Sequence, residues 1–265
     1  MTPLEMLADG VTVVDLAQPF EVGMPASPTH PPFEFALRHR HGDFPHPGGF
    51  TGSHEILVLG GHVGTHMDAL SHVAVDGTLH GGVPVAEAMH AGRYRSHGID
   101  QVRPLVCRGV LYDVPRTRKV TRLDPGAPVG VADLEAGPRP KPGDVALIRT
   151  GWAQLWRDPR AYLGDESGVP GIDLGAAEWL AGRGVATVGA DTIALEHRPP
   201  GPATLPVHRL LLHEHGINLI EVMTLETLSE TLASAGTAEF LFIGAPLNVV
   251  GATGAPVRPL AVVGA

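Results

Sequence analysis

One cysteine in 265 residues leaves no partner for an internal disulfide and too few thiols for a cysteine-based zinc site. That residue, Cys107, sits in PLVCRGVLYDV, which reads as a strand, so it is expected as a small core residue rather than a nucleophile. Aromatic residues make up only 5% of the chain, and 28 acidic against 19 basic residues give a net charge of −9. Lys and Arg form no cluster, which argues against a nucleic-acid partner. No stretch approaches the roughly 20 apolar residues of a membrane span. MTPLEMLADG has neither the basic start nor the apolar centre of a secretory signal, so a soluble cytoplasmic protein is expected. The chain also lacks a G-x-S-x-G elbow, a G-x-G-x-x-G turn and a P-loop, and His213-Glu214 is followed by His-Gly-Ile, which breaks the zincin spacing. Serine hydrolases, zincins and nucleotide-binding enzymes are therefore disfavoured.

What the chain has in quantity is glycine (34), proline (25) and histidine (15). Its length suits one large domain over residues 1–265. Short β-branched runs read as strands: VTVVDL (11–16), EILVLG (55–60), PLVCRGVLYDV (104–114), DVALIRT (144–150), VATVGA (185–190), INLIE (217–221), FLFIGAP (240–246) and PLAVVGA (259–265). Residues 129–137, 173–184 and 206–216 read as helices, each with an acidic or proline start or a glycine end. Strands crowd early and alternate with helices later, a mixed α/β pattern. Residues 24–50, rich in Pro, His and Phe without periodicity, read as a substrate-binding or interface loop.

GGHVGTHMDALSH (60–72) concentrates the chemistry. His62, His66 and Asp68 form a His-x-x-x-His-x-Asp spacing. In an extended chain the three point one way by the two-residue period, and Gly64 lets the backbone fold close around an ion. Two nitrogens and one oxygen leave coordination positions open, as a catalytic metal requires. A helix beginning near Ala69 would hold His72 beside the ion. His208 opens the later helix and Glu221 ends the following strand, so both can reach one pocket. The surface alternatives are a histidine-rich turn for the first cluster, and a helix cap with a solvent-facing acid for the second. His213 and His215 read as helix surface, as do His39 and His41.

These clusters resemble the H-x-G-T-H-x-D-A-P-x-H signature of the metal-dependent cyclase family, which includes bacterial kynurenine formamidase and isatin hydrolase. GVADLEAGPRPKPGDVALIRTGW (130–152), VGADT (188–192) and PVHRLLLHEHGINLIEVMTLETL (206–228) look like the family's later landmarks, so the likeness runs over most of the chain. The resemblance implies a swivelling β/β/α-type domain with a mixed sheet and flanking helices, in dimers or larger oligomers. It implies hydrolysis of an amide, lactam or related acyl bond with Mn2+ or Zn2+. His62, His66 and Asp68 match the primary ligands and His72 the catalytic acid/base. His208 and Glu221 match residues that hold a second ion bridged by the aspartate. Leu70 stands where the family motif carries proline, and His208 and Glu221 are spaced a little wider than in the small formamidases.

On this resemblance the chain is expected to be a metal-dependent amidohydrolase acting on a small aromatic or cyclic substrate. A divalent ion lowers the pKa of water from about 15.7 toward 7. His72, with an ordinary pKa near 6.5, can take the water's proton and return it to the leaving nitrogen. Asp191, at a strand end, is expected to orient a ligand histidine, or simply to cap the strand. Phe33, Phe35, Phe44 and Phe50 are candidates for an apolar pocket wall, with core or interface packing as the alternative. Three other functions use the same residues: a non-haem Fe(II) oxygenase, a ring-closing cyclase or dehydratase, and a metal-holding protein without catalysis.

Overall fold

The computed structural model describes residues 10–201 and 204–264. In chain order the strands begin with β1 (Val11–Asp15), β2 (Glu34–His39), β3 (His54–Val58) and β4 (His66–Asp68). They continue with β5 (Met89–His90), β6 (Arg93–Tyr94), β7 (Leu105–Asp113), β8 (Pro128–Val129) and β9 (Val145–Arg149). After these come β10 (Gly171–Ile172), β11 (Thr187–Ala190), β12 (Asn218–Glu221), β13 (Glu239–Gly244), β14 (Gly254–Pro256) and β15 (Leu260–Gly264). Nine of them form one mixed sheet in the order β1-β15-β13-β7-β9-β11-β12-β4-β14. Its centre, β7-β9-β11-β12, is parallel, and antiparallel strands complete both sides. Each strand expected from the sequence is present within a residue or two.

The central strands are apolar without alternation because both of their faces are covered. In β9 every residue is buried. Its side chains part by the two-residue period: Ala146 and Ile148 join one core cluster with Leu134, Leu180 and Leu211, while Val145 and Leu147 join another with Leu16, Leu228 and Phe242. The first cluster is roofed by the helices Val131–Glu135 and Leu174–Ala181 and by the segment after Pro206, the second by the helix Glu226–Ser234. The Leu174 helix starts where Asp173 accepts a hydrogen bond from Ala176 N, an N-cap. The result is an α/β fold with a mixed sheet and helices on both faces.

Three local expectations are corrected. PVHRLLLHEHG is one α-helical turn, Pro206–His208, running into a wider π-type segment, Arg209–Glu214. Residues 62–65 are a turn rather than extended chain, because Gly64 takes φ +65° and the Phe20 ring fills the space a side chain there would need. Residues 70–72 form a 3-10 turn rather than an α-helix, with Leu70 packed against the first core cluster. Cys107 lies on β7, half-buried against the second core cluster. Burial and nearby Asp144 push its thiol pKa above the ordinary value, consistent with its expected inertness.

The loop expected at residues 24–50 divides into two parts. Residues 27–30 run beside the histidines of the first motif. Residues 34–58 form a separate two-stranded ribbon, β2 with β3, whose strands are almost entirely exposed. Among the described residues no helix is long and apolar enough to cross a membrane.

Candidate metal centre

The site is assembled at the edge of the sheet where β4 lies between β12 and β14. In β4, His66 and Asp68 share one face by the two-residue period, while Met67 points into the core. The register sets Glu221 of β12 directly opposite His66, and Gly254 of β14 opposite Asp68. A side chain at 254 would collide with the His62 ring, so glycine is required for that ring to lie over the sheet edge. The turn at 62–65 then brings His62 Nδ1 to 2.6 Å from Asp68 Oδ1. Its Nε2 lies 2.9 Å from Thr253 Oγ1.

Two backbone turns aim the acidic residues. Val222, next to Glu221, takes φ +58°, and Leu195, next to Glu196, takes φ +54°. Such values are unfavourable for branched side chains and persist only where surrounding bonds over-determine them. At Val222 those bonds are its N–H to Thr192 O and its carbonyl accepting from Thr65 Oγ1.

Each imidazole deep in the site has one nitrogen tied down and the other turned inward. His66 donates from Nδ1 to the Gly64 carbonyl at 2.8 Å, leaving Nε2 at 3.4 Å from Asp68 Oδ1 and 3.5 Å from Glu221 Oε2. His208 donates from Nδ1 to Glu196 Oε1 at 2.5 Å, leaving Nε2 at 3.1 Å from Glu221 Oε1 and 3.8 Å from Asp68 Oδ2. The His72 ring stacks on the His62 ring at a centroid distance of 4.0 Å. His30 stacks on the same ring from farther out, at 5.5 Å.

Among the described residues the buried Asp68 Oδ2 makes no hydrogen bond, and the buried Glu221 Oε1 makes none of good geometry although His208 Nε2 lies 3.1 Å away. An unsatisfied buried carboxylate oxygen is costly. Set among inward-facing imidazole nitrogens, these oxygens form a donor set that fits a divalent cation, the N/O mixture that suits Zn2+ and its neighbours. Ligand atoms of His66, Asp68 and Glu221 lie within 4.8 Å of one another, as do those of His62, Asp68 and His72. Asp68 is common to both groups.

The charges are strongly interdependent. Burial raises Asp68, but His72, His62 and His66 more than offset it and hold the carboxyl well below its usual range. Burial lowers His66 and His208, and their carboxylate partners reverse the sign and raise both. For His72 burial wins: with Asp68 opposing and the other histidines assisting, its pKa falls to about 4. It is therefore a neutral base at neutral pH. Burial also raises Glu221, against the pull of His208.

A cavity of about 360 Å³ opens over these groups, walled by His30, Thr29, Leu163, Ile193, Leu205 and Arg198. A larger cleft of about 870 Å³, bordered by Phe20, Leu247 and the Asp15–Arg258 ion pair, contains none of the site residues.

The family model for cyclases matches residues 14–197. The chain belongs to the cyclase family. The isatin hydrolase of Roseibium aggregatum is 26% identical over 217 residues, covering 78% of this chain and 73% of that protein. A cyclase crystal structure superposes with a TM-score of 0.86 at 30% identity, covering 98% of this chain and 91% of the other. Isatin hydrolase A of Ralstonia solanacearum superposes at 0.76 with 26% identity, covering 99% and 98%.

The geometry brings His62, His66, Asp68, His72, His208 and Glu221 to one point, from segments up to 159 residues apart in the chain. It does not bring the others. Among the described residues Asp191 bonds to no histidine: its carboxylate accepts from Thr150 N, Thr150 Oγ1 and Gly151 N, tying the end of β9 to the end of β11. Phe33 is buried in a third core cluster, edge-on to Phe20, while Phe35, Phe44 and Phe50 are exposed on or beside the ribbon, outside the cavity. His39 and His41 also sit on the ribbon, His39 against His54 and His41 against Thr51. His215 is exposed as expected, but His213 is half-buried, with Nε2 at 3.3 Å from Thr78 Oγ1.

The histidine-orienting carboxylate is Glu196 instead. It is fully buried and accepts from Val207 N, His208 N and His208 Nδ1, so one carboxylate caps the Pro206 turn and fixes the His208 ring. No motif marks it in the sequence. A lone acid in the apolar context TIALEH, just ahead of the proline-started turn, was the available signal. His30 and Arg198 at the cavity wall carry no pattern either.

Proposed function

We propose that this protein is a metal-dependent hydrolase that opens an amide, lactam or related acyl bond of a small cyclic or aromatic substrate. The observation that carries this is the pair of buried oxygens left without a well-formed hydrogen bond among the described residues, Asp68 Oδ2 and Glu221 Oε1, facing imidazoles whose outer nitrogens are already bonded. His62, His66, Asp68, His208 and Glu221 would hold the metal, Mn2+ or Zn2+, with Asp68 placed to serve two ions. A divalent ion there supplies Lewis acidity toward a carbonyl and a depressed water pKa.

The chain's own residues do the rest. His72, neutral and stacked on His62, accepts the proton of the attacking water and returns it to the leaving nitrogen. Glu196 holds His208 in one tautomer and orientation. Leu163, Ile193 and Leu205 keep one wall apolar and limit water around the bond being broken. The kinship with isatin hydrolases supports a cyclic amide as the substrate class.

The ribbon 34–58 we assign to contact with a second copy of this chain. Phe35, Leu37, Ile56 and Leu57 are about half exposed on a two-stranded element, which is marginally stable by itself. Sedimentation velocity should give a dimer or larger species, and Leu37→Glu/Leu57→Glu should shift it toward monomer.

Elemental analysis of the purified protein, with assays on isatin and N-formylkynurenine before and after metal reloading, tests the catalytic assignment. Stoichiometric Mn2+ or Zn2+ with metal-dependent ring opening or deformylation is the expected result. No bound metal after reloading overturns it. Metal with oxygen-dependent turnover would instead favour the oxygenase chemistry that two histidines and a carboxylate also support.

A further inference from the structure

Arg198 is the cationic residue of the cavity wall whose charge the site leaves unused. Its backbone is fixed by a two-way bridge with Val169: Val169 N donates to Arg198 O at 2.8 Å and Arg198 N donates to Val169 O at 3.0 Å. Gly168, at φ +84°, packs so closely on the Arg198 carbonyl that a side chain there would strike it. The side chain is only 19% exposed. A guanidinium that sheltered normally has a carboxylate or several carbonyls around it. Among the described residues its ion-pair partner is Asp165 Oδ1 at 3.7 Å, beyond hydrogen-bond range, and Asp165 is itself 60% exposed.

The rest of the cavity sets the orientation of a ligand. The floor of Asp68 and Glu221, with the ion they would hold, takes the bond to be opened, so an anionic substituent elsewhere on the ligand meets Arg198, the one Arg or Lys among the described lining residues. A planar guanidinium presents a fork of N–H donors that matches a carboxylate. Asp165, which lines the same cavity, faces that fork loosely at 3.7 Å, as a tethered stand-in that an incoming acid can displace.

We propose that Arg198 is a specificity-determining residue that receives a carboxylate on the substrate, so the enzyme selects amides or lactams carrying an acidic group away from the bond it opens. This rests on the hydrolase assignment above, and Asp165 opposes it by competing for the same guanidinium.

The test uses the metal-loaded enzyme and four substrates: neutral formanilide and the ortho, meta and para formamidobenzoates. The readout is kcat/KM for each acid divided by that for formanilide. In Arg198→Gln this ratio should fall about tenfold or more for the isomer that fits, the loss of a charge-assisted hydrogen bond, chiefly through KM. In Asp165→Asn it should rise severalfold. Arg198→Lys should recover part of the loss. Ratios that do not move in either variant, or that move the same way in both, overturn the proposal. If none of the four substrates is hydrolysed, the hydrolase assignment is what has failed. Calorimetric binding of benzoate to chelator-treated protein then decides the anion site: weakened in Arg198→Gln supports it, and equal in both proteins overturns it. Unchanged melting temperatures establish that the variants fold.

Discussion

The ribbon of β2 and β3 and the floor around Asp68 are both dense in histidine, yet they surround their rings differently. On the ribbon, His39 lies against His54 at 4.2 Å and His46 stacks on Phe50 at 4.5 Å, in the open and without a buried carboxylate. On the floor, His66 and His208 are buried with Asp68 and Glu221, and each donates its outer N–H to an oxygen acceptor. Desolvation separates the two regions. An exposed imidazole is satisfied by water, whereas a buried one must have its tautomer assigned by a neighbour. A histidine cluster becomes a metal site when burial, an assigned tautomer and an orphaned carboxylate oxygen coincide.

The most forceful way to break this contrast is to remove a donor from the floor. His66→Ala or Glu221→Gln should cut bound metal per chain and lower kcat/KM by more than about 10²-fold, the scale of losing one preorganised electrostatic group. Elemental analysis beside steady-state assays would show it. Full metal occupancy in either variant would mean the orphaned oxygens have another purpose.

The next effect is on stability. With its folded pKa depressed from 6.5 to about 4, His72 stays neutral in the metal-free fold while the unfolded chain protonates. Its contribution is therefore present above pH 6.5 and lost as pH falls from 6.5 through 4, by up to about 3 kcal/mol. His66 and His208 have raised pKa values and the opposite sign, adding stability at low pH that fades as pH rises. The His72 share is thus read by difference: urea unfolding of chelator-treated wild type and His72→Gln at pH 7.5 and 4.5, with the variant losing less stability on acidification. Equal losses would place the stacked ring in effective contact with solvent.

Glu196→Ala should weaken metal binding about 10- to 100-fold by freeing the His208 ring and stripping the acceptor from two buried N–H groups. Glu196→Gln, which keeps one acceptor oxygen, should fall between. Competitive titration with a fluorescent zinc chelator measures both. Asp191→Asn gives the contrasting outcome: full metal content, and a stability loss of about 1–3 kcal/mol because an amide N–H₂ would face the N–H donors of Thr150 and Gly151.

Those two acids also mark where the sequence stops being legible. His62, His66, Asp68 and His72 stand within eleven residues and point along a strand and turn, so local spacing reveals them. His208 and Glu221 could be read because a helix, a glycine turn and a strand return the chain on itself. The sheet strands follow from β-branched runs, and their burial without alternation is visible as continuous apolar sequence. Glu196 and Asp191 could not be sorted, since each is a lone acid beyond the same strand, β11, and only tertiary packing decides which one meets an imidazole. The same holds for the phenylalanines: an aromatic in an irregular loop carries no period, so Phe33 in the core and Phe35 on the ribbon look alike. The ribbon escaped notice in its first half because FEFALRHRH mixes apolar and basic residues without a turn signal before Gly42.

The smallest effect is the one that isolates the comparison. His39→Ala/His54→Ala removes two rings that face each other across the ribbon at 4.2 Å, nearly as close as the 4.0 Å His62–His72 pair of the site. If ring proximity alone made a metal site, this double variant would lose metal. Neither ring has a buried acid beside it, so the bound-metal ratio should match the wild type and stability should stay within about 0.5 kcal/mol, as for other exposed positions. Metal analysis with thermal melts decides it. A measurable loss of metal would place a second ion on the ribbon and return the histidine-rich hairpin to the functional surface.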